Sequence, residues 1–158
     1  MKNQGVPKKG DDIMLIRKLK NEEVPHALAL VLEVFMQFEA PDYSERGVET
    51  FKRTGIEDKE YVANLLMYGA FHKGKLNGVI ATRNNGSHIA LFFVKGEYHR
   101  HGIGTKLFNA VLANSKEDII TVNSSPYAKD VYHHLGFMDT DTEQTIEGIR
   151  FIPMVYQR

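Results

Sequence analysis

The sequence predicts an α+β (mixed α/β) fold, with a single, mostly antiparallel mixed sheet of about seven strands and helices on both faces. Three observations predict it. Strand patterns occur before, between and after helical ones, so one sheet must serve them all. Asn84-Asn85-Gly86-Ser87 lies between two apolar runs, and Asn-Gly tolerates the positive φ angles of a type I′ hairpin turn. From His88 to Leu112 a strand pattern breaks into a glycine-containing turn and becomes a helix pattern. Nearly every position from Ile89 to Val94 is apolar, as suits a strand covered on both faces. Ile103, Leu107, Phe108, Val111 and Leu112 then recur at helical spacing.

In chain order, residues 1–11 read as a frayed leader, and residues 12–158 as one domain. Ile13 to Leu19 alternates as a short strand. Asn21 caps a helix whose first turn holds Glu22 and Glu23 and whose buried stripe is Val24, Leu28, Val31, Phe35 and Phe38. Pro41 ends it, and Asp42 or Ser44 caps a second helix that reaches Gly55. A short helical patch follows from Asp58 to about Leu66. Tyr68 to His72 and Leu76 to Arg83 are strands around a Lys73-Gly74-Lys75 turn, and the Asn-Gly turn pairs Thr82 with Ile89 and Ile80 with Leu91. Asp118 to Asn123 is a strand. Ser124-Ser125-Pro126 opens a helix that stops at Gly136, with Ala128, Val131 and Leu135 as its stripe and Tyr132 on the flank. Two closing strands follow, with Pro153 implying a bulge or an edge in the last.

Composition narrows the function. Twenty basic and twenty acidic side chains give a net charge of zero, which argues against nucleic acid or an anionic membrane as partner. The absence of cysteine excludes a disulfide framework and a thiol nucleophile, and fits a reducing cytoplasm. No run of about 18 apolar residues is present to span a membrane, and the first residues lack the apolar centre of a signal peptide. A homodimer is compatible with all of this.

The turn itself is His99-Arg100-His101-Gly102-Ile103-Gly104-Thr105. The first N–H groups of a helix have no internal partner and sit at the positive end of its dipole, so they attract an anion that can approach closely. Glycines at 102 and 104 keep that approach open, while Arg100, His101 and Lys106 add charge. The turn reads as a diphosphate cradle. It is neither a dinucleotide fingerprint, since Leu107 stands where the third glycine belongs, nor a P-loop, since Thr105 follows the last glycine. His99 and His101 lack a nearby third ligand, so they read as phosphate-facing side chains, with no metal implied.

Val94-Lys95-Gly96-Glu97-Tyr98 followed by His99-Arg100-His101-Gly102-Ile103-Gly104 resembles the acyl-CoA turn of the GNAT superfamily of N-acetyltransferases, Gln/Arg-x-x-Gly-x-Gly/Ala after a Val-x-Pro-x-Tyr strand end. Gly96 stands where the family has Pro, and His99 where it has Gln or Arg. Ala128, Tyr132, Gly136 and Phe137 match the family's Asn-x-x-Ala-x-x-x-Tyr-x-x-x-Gly-Phe. The family's Asn aligns at Ser125, with Asn123 two residues earlier.

This resemblance implies acyl transfer from acetyl-CoA to a primary amine of a small molecule or peptide, by direct attack in a ternary complex. Backbone N–H groups of Phe92, Phe93 and Val94 would polarise the carbonyl, a contribution of about 3 kcal/mol per donor. The turn from His99 to Thr105 would hold the diphosphate, with Asn123 or Ser125 contacting the pantetheine arm. Tyr132, with an ordinary pKa of about 10, would protonate a departing thiolate of pKa about 8.5. Glu39, Asp42 and His88 are candidate bases, and acidic groups place acceptor entry between the 39–42 turn and the loop joining the last two strands. A non-catalytic acyl-CoA-binding regulatory module is the alternative.

Overall fold

In the computed structural model, which describes residues 13–158, the chain runs β1 (Leu15–Lys18), α1 (Val24–Val34), α2 (Glu45–Phe51), α3 (Lys59–Ala63), β2 (Leu66–His72), β3 (Lys75–Arg83), β4 (His88–Val94), α4 (Ile103–Asn114), β5 (Ile119–Ser124), α5 (Lys129–Leu135), β6 (Met138–Asp139), β7 (Gln144–Ile146) and β8 (Ile149–Gln157). The leader expected over residues 1–11 lies outside the described residues. The strands form one mixed sheet in the order β1-β2-β3-β4-β5-β8-β6, with β7 paired to β8. All neighbours are antiparallel except β4 and β5, which α4 joins by a crossover. No helix among the described residues is long and apolar enough to cross a membrane.

The Asn-Gly turn sets the start of the central register. Asn85 (φ 58°) and Gly86 (φ 83°) have the positive angles of a type I′ turn, and the Ser87 N–H donates to the Asn84 carbonyl at 3.2 Å. Thr82 pairs with Ile89 as that turn dictates, but Ile80 pairs with Phe92 rather than Leu91. The cause is a bulge: Ala81 pairs with Leu91, which leaves Ala90 without a partner. One extra residue inverts the alternation of everything after it. Ile89 therefore packs with Ile80, Leu107 and Val111 beneath α4, whereas Leu91 and Phe93 pack with Val31, Phe35 and Val79 beneath α1.

Those two clusters are the core. Ile103, Leu107, Phe108 and Val111 of α4 are buried as their spacing predicts, and with α5 they cover β5 and β8 through Ile120, Val122, Ile152 and Met154. On the other face α1 covers β3 and β4, and Val48 and Phe51 of α2 pack at its margin. Ser44 caps α2 by accepting the Gly47 N–H at 3.1 Å. Ser125 serves the α5 turn in the same way, accepting the Ala128 N–H at 3.2 Å.

Two expectations are revised at the C-terminal end. Val131 is 47 % exposed while Tyr132 is 5 % exposed, because the inward face of α5 is centred on Tyr132, whose ring packs edge-on against Phe92 and Phe137. At Pro153 the expected irregularity lies on one side of β8 only, where the register shifts between β6 and β7. Pro153 pairs with Asn123 without a register shift, and its carbonyl accepts the Thr140 N–H on the other side, where the neighbour of β8 changes from β6 to β7. The missing donor falls in that gap.

The Thr82 hydroxyl is buried with no hydrogen-bond partner among the described residues. A buried unpaired hydroxyl costs about 1 kcal/mol or more, so Thr82→Val, which keeps the shape, should raise the melting temperature by about 2–4 °C. A lower melting point in the variant, measured calorimetrically, would show that water satisfies the hydroxyl.

Candidate active site

The bulge governs the site as well as the core. β4 pairs with β5 at only two positions, His88 with Thr121 and Ile89 with Val122, and the strands part at Ala90. A cleft of about 650 Å³ lies in the gap, lined by Phe92 to Val94, by the turn and first residues of α4, by Tyr127 to Leu135, and by Phe38 and Glu39. The Lys95 N–H donates to the Asn77 carbonyl, so the odd-numbered positions of β4 after the bulge pair with β3. Alternation leaves the backbone groups of Phe92 and Val94 facing the gap. Of the three expected donors, Phe93 is thus turned into the sheet.

The turn after β4 is held by a side chain. The His99 ring nitrogen lies 2.6 Å from the Val94 carbonyl and donates to it, which ties the turn to the strand end. Gly102 has φ 77° as the residue preceding α4, and a Cβ there would meet no protein atom within 4 Å. A Cβ on Gly104 would instead lie 3.4 Å from the Phe92 ring. Both glycines line the cleft, and the approach to the N–H groups of α4 is most open at Gly102, whereas a side chain at 104 would rest in ordinary contact with Phe92. Arg100, Ile103 and Thr105 line the cleft as expected. His101 does not: it is exposed, with its ring 6.5 Å from that of Tyr98. Converging N–H donors, an open approach and Arg100 form a donor set suited to a diphosphate.

Phe38 bridges the two arms of the cleft. Its ring stacks on Tyr127 at 5.4 Å between centroids and lies 4.8 Å from His99. A Cβ at position 96 would come within 2.7 Å of it, which explains the glycine there. Phe38 and Glu39 both reach the cleft because α1 ends in a π-helical turn, Phe35–Glu39, in which the Ala40 N–H donates to the Phe35 carbonyl.

Burial pushes the Glu39 carboxyl up to about 7, against the pull of the Ser125 hydroxyl and with a further push from Asp42. Tyr132 is driven well above the usual tyrosine range by burial and then by Glu39, so its hydroxyl stays protonated at the cleft. Tyr127 and Tyr43 are raised by burial first and by Glu39 second. The Glu39 charge thus acts on three tyrosines, of which Tyr127 and Tyr132 line the cleft with it.

The remaining candidates fall elsewhere. His88 is at the opposite end of β4, bonded to the Thr121 hydroxyl at 2.7 Å, and burial followed by Arg83 lowers it to about 4. A separation of about 3.3 Å per strand residue keeps it far from Phe92. Asn123 is exposed on β5 and outside the cleft lining, whereas Ser125 is buried beside Glu39. Asp42 is exposed and acts on Glu39 only through its charge. Beside the expected acceptor entrance the β7–β8 hairpin packs on α2, where Gly47 meets Gly148 backbone to backbone, and Glu143 and Glu147 pair with Arg150 and Arg46. Phe38 as a bridge, and Tyr127 opposite it, were not legible as site residues, since their meeting joins segments far apart in sequence.

A family model described as an acetyltransferase (GNAT) domain matches residues 39–158. This chain belongs to the GNAT acetyltransferase family. The GNAT fold is shared with a GCN5-related N-acetyltransferase from Rhodopseudomonas palustris at 18% identity and TM-score 0.77, covering 93% of this chain and 97% of that one. It is shared too with the PaiA N-acetyltransferase of Thermoplasma acidophilum, whose structure contains coenzyme A, at 22% identity and TM-score 0.74, covering 92% and 99%. An acetyltransferase of the GNAT family from Elizabethkingia anophelis, with acetyl-CoA bound, matches at 16% identity and TM-score 0.62, covering 92% and 98%. No curated protein matches this GNAT chain by sequence.

The raised Glu39 has a consequence for stability. Between about pH 4.5 and its folded value of about 7, the unfolded chain has lost a proton that the folded one retains, so stability falls as pH rises through that window. Glu39→Gln removes the penalty. It should stabilise the protein by on the order of 2 kcal/mol at about pH 8 and leave it unchanged at about pH 4, as read from melting curves.

Proposed function

We propose that this GNAT protein is an N-acetyltransferase that moves an acetyl group from acetyl-CoA to a primary amine of a small molecule or peptide, by direct attack while both are bound. The observation that supports it best is the meeting of the Glu39 carboxyl and the Tyr132 hydroxyl in one cleft, where the Glu39 charge helps to hold the hydroxyl protonated. Bound acetyl-CoA supplies an activated thioester. The N–H groups at the start of α4, with Arg100, would hold its diphosphate, and the Phe92 and Val94 N–H groups would face its arm and acyl carbonyl.

Glu39 accepts the proton of the attacking amine. A carboxyl near 7 is poised between its two forms at neutral pH, where a base works best, and the buried Ser125 beside it limits its motion. Tyr132 donates its proton toward the leaving sulfur, since its environment holds the hydroxyl neutral and the packing of Phe92 and Phe137 fixes its ring. Phe92 and Val94 offset the negative charge that grows on the carbonyl oxygen. Phe38 and Tyr127 exclude water above them.

Acetyl-CoA at about 100 times its dissociation constant should stabilise the protein by about 2.7 kcal/mol. A panel of amines, followed by release of the CoA thiol, should then identify an acceptor, with kcat/KM rising as pH passes through about 7 and Glu39 loses its proton. Glu39→Gln and Tyr132→Phe should each retain the acetyl-CoA stabilisation and lose about 10² to 10⁴ in kcat. Binding with no turnover across the panel would leave a non-catalytic acyl-CoA-binding module as the reading.

A further inference from the structure

Glu39 lies at the end of a π-helical turn followed by a 3₁₀ turn, Ala40–Asp42, and neither is a long, self-supporting element. What fixes this connection comes from the far end of the chain. The Arg150 guanidinium donates to the Asp42 carbonyl at 2.9 Å, and the Tyr43 hydroxyl donates to the Arg150 carbonyl at 3.2 Å. The same guanidinium is oriented by a two-pronged contact with Glu143 at 3.0 and 3.1 Å. Its hairpin is in turn seated on α2, where Gly47 meets Gly148 backbone to backbone, Thr50 donates to the Glu147 carbonyl at 2.7 Å, and Arg46 pairs with Glu147 at 2.7 Å.

We propose that Arg150 is a positioning residue: gripping Asp42 with its side chain and Tyr43 with its backbone, it fixes the turn that aims Glu39 into the cleft. The proposal rests on Glu39 being the base of the proposed reaction. Arg150 touches none of the reacting groups; it acts through the turn. The fork of a guanidinium is required, because a lysine cannot hold both Glu143 oxygens and the Asp42 carbonyl in one plane.

Two effects of removing Arg150 oppose each other, which makes the idea testable. The groups facing Glu39 are Asp42 and Tyr43 from its own turn and Ser125, Tyr127 and Tyr132 from across the cleft. Arg150 reaches them by charge through Asp42 and through Tyr43, which it lowers. Were Arg150 acting by charge, its loss would raise the Glu39 carboxyl. If it positions the turn, its loss lets Glu39 swing toward water, and desolvation, the dominant cause of the raised value, relaxes.

The experiment is a ¹³C NMR titration of the Glu39 side-chain carboxyl in the whole protein, the signal assigned by its disappearance in Glu39→Gln. Arg150→Met should lower the titration midpoint by about one unit or more toward the ordinary value. Arg150→Lys, which keeps the charge and loses the fork, should lower it as well. Tyr43→Phe, which removes one hydrogen bond and keeps the ring packed 5.5 Å from Phe35, should move it in the same direction by less, and provides the test if Arg150→Met does not fold. An unchanged or raised midpoint in these variants overturns the proposal. Full turnover in Glu39→Gln would instead remove Glu39 from the reaction while leaving the effect of Arg150 on its titration intact, so the two failures are distinguishable.

Discussion

The structure depends on two parallel strands that stop pairing after two residues. A strand edge inside a protein carries N–H and C=O groups that must find partners, and sheets usually supply them along the whole strand. Here the bulge at Ala90 twists β4 away from β5 immediately after Ile89. The gap gives Phe92 and Val94 free donors, places the start of α4 at its mouth, and admits Tyr132 from α5 and Glu39 from the end of α1. Cores on both faces hold the strands rigidly enough for the gap to persist: Ile80, Ile120 and Val122 lie beneath α4 and α5, and Val79, Leu91 and Phe93 beneath α1.

Much of this was legible because it is encoded locally. The Asn-Gly turn, the α4 stripe, Gly102 before α4 and Gly136 after α5 at φ 105° each follow from the conformational limits of a few adjacent residues. The bulge was not legible, since an uninterrupted apolar run from Ile89 to Val94 looks the same with or without an extra residue. That omission carried into the expected Ile80 pairing and into Phe93 as a cleft donor. His88 failed for a related reason: a sequence shows a titratable group at a strand start, but only the pairing with β5 decides which end of the strand opens. Tyr132 was found through its motif, but its burial was underestimated because Val131 offers the same apolar signal in a position that faces outward.

The electrostatic character of the cleft was the least readable part. A net charge of zero and scattered acidic residues suggested an entrance lined with carboxylates, yet Asp139, Glu143 and Glu147 are each engaged with basic partners on the surface. The raised Glu39 carboxyl comes from its desolvation, and the three tyrosines that feel its charge come from two separate segments, Tyr43 from its own turn and Tyr127 and Tyr132 from across the cleft. Such an arrangement leaves almost no trace in composition or periodicity.

The π-helical turn at the end of α1 ties the identity of the site to the length of the chain. Successive α-helical residues point about 100° apart, and the wider turn is what allows both Phe38 and Glu39 to reach the cleft. Deleting one residue between Phe35 and Phe38 would preserve the carboxyl, the aromatic ring and the helix, yet turn the carboxyl out of the cleft. In this part of the molecule, spacing is as much a determinant of reactivity as the side chains themselves, and a related chain with the same residues one position shorter would be a different protein chemically.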